Sequence, residues 1–224
     1  MAQYRHEWKH EINLSDRIAI RQRLRAAAKP DEHARDGRYW IRSLYFDTLG
    51  DKALREKLDG VNRREKFRIR YYNGDTSRIH LEKKSKRNGL GTKFQSPLTA
   101  AEAQAILDGD WAWMPDSGRP LVQEFYCKLK SQGLRPKTIV DYTREPFVFA
   151  PGNVRVTLDY NIRTGLRCTD FLNPRCVTIP AGNSPTILEV KWDAFLPAVI
   201  QDAIQLNGRH AAAFSKYAVC RIYD

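Results

Sequence analysis

Histidine, cysteine and long apolar stretches are all scarce in this chain, and each scarcity removes a class of function. Only five histidines are present. Two of them fall in "RHEWKHEI" (5 to 12), where His6-Glu7-Trp8-Lys9-His10 spells the H-E-x-x-H of a zinc peptidase. That motif works on a helix, which brings both histidines to one face. Here Arg5, Glu7, Lys9 and Glu11 alternate with His6, Trp8, His10 and Ile12, a period of two that predicts a strand. In a strand the two histidines are separated by about 13 Å of rise, too far to share one ion. His33, His80 and His210 stand alone, so no third ligand follows, and the zinc-peptidase reading is set aside.

The four cysteines (Cys127, Cys168, Cys176, Cys220) show no C-x-x-C pairing. Neither a zinc knuckle nor a dense disulfide framework is expected, and they read as buried thiols of a reducing compartment. No apolar run approaches the roughly 18 residues that span a bilayer, and the first residues lack the apolar core of a signal peptide. A cytoplasmic location is therefore expected. No tandem repeat, low-complexity tract or linker divides the chain, which predicts one domain over 1–224.

What is abundant is positive charge. Lysine and arginine total 38 against 26 acidic residues, a net +12 in 224 residues, while a hydrophobic share of 42% still supports a core. Such a balance favours a polyanionic partner: nucleic acid, an anionic membrane surface or a phosphate chain.

The pattern along the chain predicts an α+β fold. Strands are expected over 4–12, 39–48, 64–72, 77–86, 137–149, 154–164 and 186–193. A helix is expected from Asp16 to Ala28 with Ser15 or Asp16 as its cap, then a helical turn over 51–58. A capping box of Thr99 and Glu102 opens another helix to Leu107, with further helices over 120–132 and 195–207, the last stopped by Gly208. The stretch "RNGLGTK" reads as a loop. The whole is a meander of seven or eight mostly antiparallel strands rather than a βαβ series.

Side chains two apart in a strand share a face. One face then collects Arg5, Glu7, Lys9 and Glu11; Arg68 and Arg70; Glu82, Lys84 and Lys86; Arg155, Thr157 and Asp159; and Glu189 and Lys191. The other face carries Phe67, Ile69, Tyr71, Val154, Val156, Leu158, Leu188, Val190 and Trp192. One ionic strand face is ordinary solvated surface. Five strands of this kind, made mainly of Arg, Lys and Glu, predict a sheet curled into an antiparallel β-barrel tunnel of about eight strands, with a polar lumen and helices packed outside. The core is expected outside the wall and the site inside it. Fixed cations with a few carboxylates suit a tri- or polyphosphate, the carboxylate holding a divalent ion on the phosphates.

These residues, from "RHEWKHEI" through "SLYFDT", "KFRIRYY", "LEKKSK", "DYTREPF", "VRVTLD" and "LEVKWD" to "FSKY", resemble the VTC-type polyphosphate polymerase domain, a branch of the triphosphate tunnel metalloenzymes. The resemblance implies phosphate-binding roles for Lys9, Lys84, Lys86, Lys93 and Lys191, and catalytic roles for Arg68, Arg70, Arg144, Arg155 and Lys216. It implies that Glu189 holds Mn²⁺ or Mg²⁺. Hydrolytic tunnel enzymes carry E-x-E-x-K on the first strand, and here Arg5 stands where the first Glu would be, with Glu7 and Lys9 kept. That exchange disfavours water activation and adds charge for a longer anion.

The implied activity is transfer of the γ-phosphate of ATP to a growing inorganic polyphosphate chain, threaded through a tunnel open at both ends. A tripolyphosphate or nucleoside triphosphate hydrolase and a non-catalytic sensor remain as alternatives. No nucleic acid is expected, because the aromatics that would stack bases fall on the apolar face. Eukaryotic family members work beside membrane-spanning proteins, and such a partner is not visible in a sequence of this kind.

Overall fold

The computed structural model describes residues 5–88, 90–206, 208 and 213–222. In chain order the elements are β1 (His6–Ile12), α1 (Leu14–Ala27), β2 (Lys29–Pro30), β3 (Tyr39–Asp47), α2 (Lys52–Leu58), β4 (Arg64–Tyr72), β5 (Ile79–Arg87), β6 (Leu90–Leu98), α3 (Ala100–Asp108), α4 (Pro120–Ser131), β7 (Arg135–Phe149), β8 (Val154–Thr164), β9 (Ile179–Pro180), β10 (Thr186–Trp192), α5 (Ala198–Ala203) and α6 (Lys216–Val219). Eight strands form one antiparallel sheet in the order β1-β10-β8-β7-β3-β4-β5-β6, with β2 and β9 as short additions to β7 and β8. The sheet curls until its two edges touch at one bridge, Arg5 to Gly91, and the predicted barrel-like tunnel wall is present. Strands β3 to β6 run as one meander and β7, β8 and β10 as another; β7 returns beside β3, and β1 closes on β10.

Several boundaries differ from expectation for identifiable reasons. The cap of α1 is Asn13: its side chain accepts from the Asp16 amide at 2.8 Å, and Asp16 accepts from the Asn13 amide at 3.1 Å, so Asp16 is the far half of a capping box. "RNGLGTK" is mostly not loop. Arg87 pairs directly with Leu90, and Asn88 takes φ +50°, a hairpin corner that asparagine tolerates, so Lys93 lies within β6. The last long helix shrinks to the six residues of α5, because Pro197 holds Leu196 out of helical geometry and the helix starts after it. The expected end near Asn207 falls outside the described residues. The Thr99–Glu102 box is present and opens α3.

Two apolar clusters lie outside the wall. One joins Phe67, Ile69, Tyr71 and Leu81 of β4 and β5 to Ile106 of α3 and Val122, Phe125 and Leu129 of α4. Each such fully buried side chain contributes roughly 1.5–3 kcal/mol. The other joins Val156, Leu158, Leu188 and Val190 to Ile20 and Leu24 of α1 and Ile200 of α5. A third cluster corrects the expectation that the core lies wholly outside. Ile41 and Tyr45 of β3, Val140 and Tyr142 of β7 and Tyr217 of α6 pack on the inward face, because the C-terminal segment folds back over the lumen. The space for an anion is narrower than in a bare barrel of this strand number.

The cysteines also depart from expectation. Cys220 is buried, but Cys127 is exposed, and Cys168 and Cys176 are half-buried with their Sγ atoms 2.9 Å apart. Among the described residues no helix is long and apolar enough to cross a membrane.

Candidate functional site

Strand register assembles the site. Lys66 pairs with Lys84, Arg68 with Glu82, and Arg64 with Lys86 across β4 and β5. Lys84 pairs with Lys93 across β5 and β6. On the other arc, Lys9 faces Glu189 and Glu7 faces Lys191, while Glu189 and Lys191 face Thr157 and Arg155 of β8. Arg144 of β7 sits opposite Asp159. All these positions share inward parity, and all but the buried Glu82 and Asp159 line one cavity of about 460 Å³. All eleven residues singled out from the sequence line it: Lys9, Lys84, Lys86, Lys93, Lys191, Arg68, Arg70, Arg144, Arg155, Lys216 and Glu189. Glu11, assigned to the same face, does not.

Three carboxylate centres organise the cations. Glu82, buried on β5, accepts from Arg68 at 2.6 Å and Lys93 at 2.6 Å, with Arg70 at 3.6 Å. Burial would raise its pKa, but Arg68, Arg70 and Lys93 hold the carboxyl far below the usual carboxylate range. Asp159, fully buried, takes both arms of Arg144 at 2.7 Å and Lys216 at 2.6 Å, and these cations hold it low against burial. Glu189 and Glu7 share Lys9 and Lys191: Glu189 lies 3.4 Å from Lys9 and 2.7 Å from Lys191, and Glu7 3.3 and 3.6 Å from the same two. Lys84 reaches Glu7 from β5 at 3.1 Å, across the seam where the sheet closes. Burial and Glu189 push the Glu7 carboxyl up, yet Lys84, Lys9 and Lys191 bring it down to about 2.

The sequence reasoning missed several lining groups. Tyr45 accepts from Arg68 at 2.6 Å, and Tyr142 and Ser43 accept from Arg70 at 3.1 and 2.8 Å. These neutral acceptors fix the two guanidinium planes without cancelling their charge. Tyr45, Tyr72, Tyr142 and Phe214 therefore stand on the basic side, correcting the expectation that aromatics are confined to the other face. Tyr72 could have been found, since it continues the alternation of 66, 68 and 70. Lys66 belongs to the same series and has no carboxylate within 4 Å among the described residues. Burial, then Lys84, Lys9 and Arg68, drives its pKa well below the ordinary lysine value. Burial and Lys9 likewise bring Lys84 down to about 8. Lys57 and Lys216 arrive on helices pinned by one residue: buried Asp47 accepts from the amides of Ala53 and Leu54 at the start of α2 and from the Tyr217 hydroxyl of α6 at 2.8 Å.

Arg5 lines the cavity edge, but its guanidinium is turned to Asp193 at 2.7 Å and to the Asn153 carbonyl. Its charge is thus largely spent within the protein, which weakens the expectation that it serves a longer anion. His6 stacks on Trp192, and no cluster of three or more His, Cys, Asp or Glu able to hold a metal occurs among the described residues. The donors that do occur, Glu189 and Glu7, suit a hard divalent ion that takes one or two carboxylates and completes its shell with phosphate oxygens and water. Two buried polar atoms beside them lack partners in the described structure, Thr157 Oγ1 and Arg155 Nε. A polar guest at this end of the lumen would satisfy both.

In total the cavity wall carries fourteen lysines and arginines against three glutamates. Chemically this is a receptacle for a compact, highly charged anion.

Comparison with known proteins agrees in fold. HpAC1 from Hippeastrum, named for adenylyl cyclase and described by a dominant triphosphatase activity, is similar over 96% of this chain and 94% of its own, with TM-score 0.58 and 13% identity. The PH1012 protein of Pyrococcus horikoshii OT3 is similar over 96% and 98%, with TM-score 0.54 and 14% identity. At such identities the likeness concerns the fold alone. No curated protein sequence matches the chain. The VTC domain profile matches residues 4–222, nearly the whole chain and every strand of the wall, and the chain belongs to the VTC domain family.

Proposed function

We propose that the lumen binds the triphosphate of ATP and transfers its γ-phosphate to the end of an inorganic polyphosphate chain. The observation that carries this is the excess of cations around a cavity of about 460 Å³, fourteen lining lysines and arginines against three lining glutamates and the buried Glu82 and Asp159 behind them. A terminal phosphate oxygen of the chain attacks the γ-phosphorus, the bond from that phosphorus to the β–γ bridging oxygen breaks, and ADP leaves with the electron pair. The attacking oxygen is already largely ionised at neutral pH, so no side chain needs to act as general base.

Each residue then has a physical task. Arg68 and Arg70, held by Tyr45, Tyr142 and Ser43, stabilise charge on the transferred group, and Arg144 does so from β7, two strands away in the wall. Lys9, Lys84 and Lys191 exchange carboxylate partners for phosphate oxygens, with Lys66, Lys86, Lys93, Arg155 and Lys216 adding charge around them. A divalent ion, Mn²⁺ or Mg²⁺, held by Glu189 and Glu7 together with the phosphates, would supply charge neutralisation and in-line orientation.

A hydrolase is the second reading, favoured by the neutralised state of Arg5, which removes one argument for a longer anion. One experiment separates them. Purified protein is incubated with ATP and Mn²⁺ or Mg²⁺, and products are resolved on a gel stained for polyphosphate while free phosphate is assayed in parallel. An exopolyphosphatase-sensitive ladder is expected. Free phosphate without a ladder means hydrolysis, and tight binding with neither product means a sensor.

The depressed lysines predict proton linkage. In the empty lumen Lys84 loses its proton as pH rises through about 8, whereas a bound phosphate favours the charged form and restores it. Tripolyphosphate binding at pH 8.5 is therefore expected to take up more protons in the wild type than in Lys84→Gln, by up to about one per molecule. Calorimetry in buffers of unequal ionisation enthalpy measures this, and equal uptake by both proteins would contradict it.

A further inference from the structure

A second basic cavity adjoins the lumen and runs onto the outside of the wall. Its volume is about 350 Å³, and it shares Arg64, Lys66 and Lys86 with the lumen before continuing past Arg63 and Arg87 toward Lys52 and Lys128. Parity explains the continuity. Arg64 and Lys86 are register partners facing inward at the end of the β4–β5 hairpin, whereas Arg87 has the opposite parity and Arg63 precedes β4, so the basic path turns the rim.

The charge accounting differs from that of the lumen. Each carboxylate of the groove is already engaged: Asp47 by amides of α2 and by Tyr217, Glu56 by Lys52 at 3.9 Å, and Glu65 by Lys83 at 3.2 Å and by Lys128. Arg63, Arg64, Lys86 and Arg87 have no carboxylate within 4 Å among the described residues. Four unneutralised cations in a row on a rim are costly unless solvent or an anion faces them. The aromatics here, Phe46 and Phe67, are 1% and 2% exposed, so no ring is offered for a base to stack on.

We infer that this groove receives the part of a linear polyphosphate chain that extends beyond the lumen, and so gives the protein preference for long chains over tripolyphosphate. The inference rests on the reading of the lumen given above and adds to it a second binding segment. The path from Arg70 to Arg64 along β4 is already about 20 Å, and the groove lengthens it further. A triphosphate seated at Arg68 and Arg70 does not reach Arg63 or Arg87.

The test compares wild type with Arg63→Ser/Arg87→Ser, both exposed positions whose side chains make no hydrogen bond or ion pair among the described residues. Dissociation constants are measured for tripolyphosphate and for long-chain polyphosphate at two salt concentrations. The expected result is that the double variant binds long chains about tenfold more weakly and with a shallower salt dependence, while tripolyphosphate affinity changes less than about twofold. Unchanged affinity for long chains would overturn the groove and leave the lumen reading intact. Failure of the wild type to bind tripolyphosphate would instead overturn the lumen reading, and the groove with it. Single-stranded DNA of equal charge serves as competitor; if it displaces long-chain polyphosphate from wild type but not from the variant's residual site, the groove is a nucleic-acid surface and the assignment fails.

Discussion

Glu189→Gln is expected to lower metal-dependent turnover of ATP by about 10²- to 10³-fold, the scale of losing one preorganised charge-stabilising group, while tripolyphosphate binding without metal is kept or tightened. The side chain is buried between Lys9 and Lys191, and its carboxyl is held well below the usual range because Lys191, Lys9, Arg144 and Lys84 outweigh burial. Gln preserves shape but removes the anion that both binds metal and occupies two lysines. Metal affinity therefore falls, and Lys9 and Lys191 are released toward phosphate. Initial rates against metal concentration test the first half, and calorimetry of tripolyphosphate in the presence of a chelator tests the second. Full turnover in the variant would remove Glu189 from the metal site. Loss of metal-free binding would make it a strut for the lysines instead.

Glu82→Gln should cost about 3–5 kcal/mol of folding stability in the ligand-free protein, the usual penalty for stripping a buried ion pair of one partner. Glu82 is 2% exposed and faces Arg68 and Arg70, whose own side chains are 19% and 4% exposed. Lys93, nearly half exposed, adds little to this cost because solvent screens it. The lost anion is one that a phosphate can replace, so tripolyphosphate should bind the variant more tightly than wild type and, at one fixed saturating concentration, recover about 1.4 kcal/mol of the loss for each tenfold difference in affinity. Denaturant midpoints with and without tripolyphosphate provide the measurement. A loss under about 1 kcal/mol, or an equal loss with ligand bound, would mean that Glu82 is not the internal counter-charge of the empty lumen.

Much of this site is legible along single strands. Arg68 and Arg70, Lys84 and Lys86, and Glu189 and Lys191 all follow from alternation, which is a local property of extended backbone. Lys66 and Tyr72 obey the same rule and were legible too; they escaped notice because an isolated lysine and a tyrosine at a strand end look like ordinary surface and core. Tyr45 and Tyr142 were harder. Their strands are aromatic on both faces, and only the pairing of Tyr45 with Arg68 shows which face is inward. The four-residue α6 carries no periodic signal at all, since a single turn is shorter than the pattern that would betray it.

The amino-acid order settles which side chains lie on the charged side of each strand, because that depends on neighbours two residues away. It does not settle how far the sheet curls, which depends on twist and cross-strand packing summed over eight strands. Curl is what brings Glu7 to Lys84, 77 residues apart, and closes the ring of cations. The same long-range folding lays Tyr217 against Tyr45 inside the wall and turns Arg5 toward Asp193, choices made by space and by competing partners rather than by any local pattern.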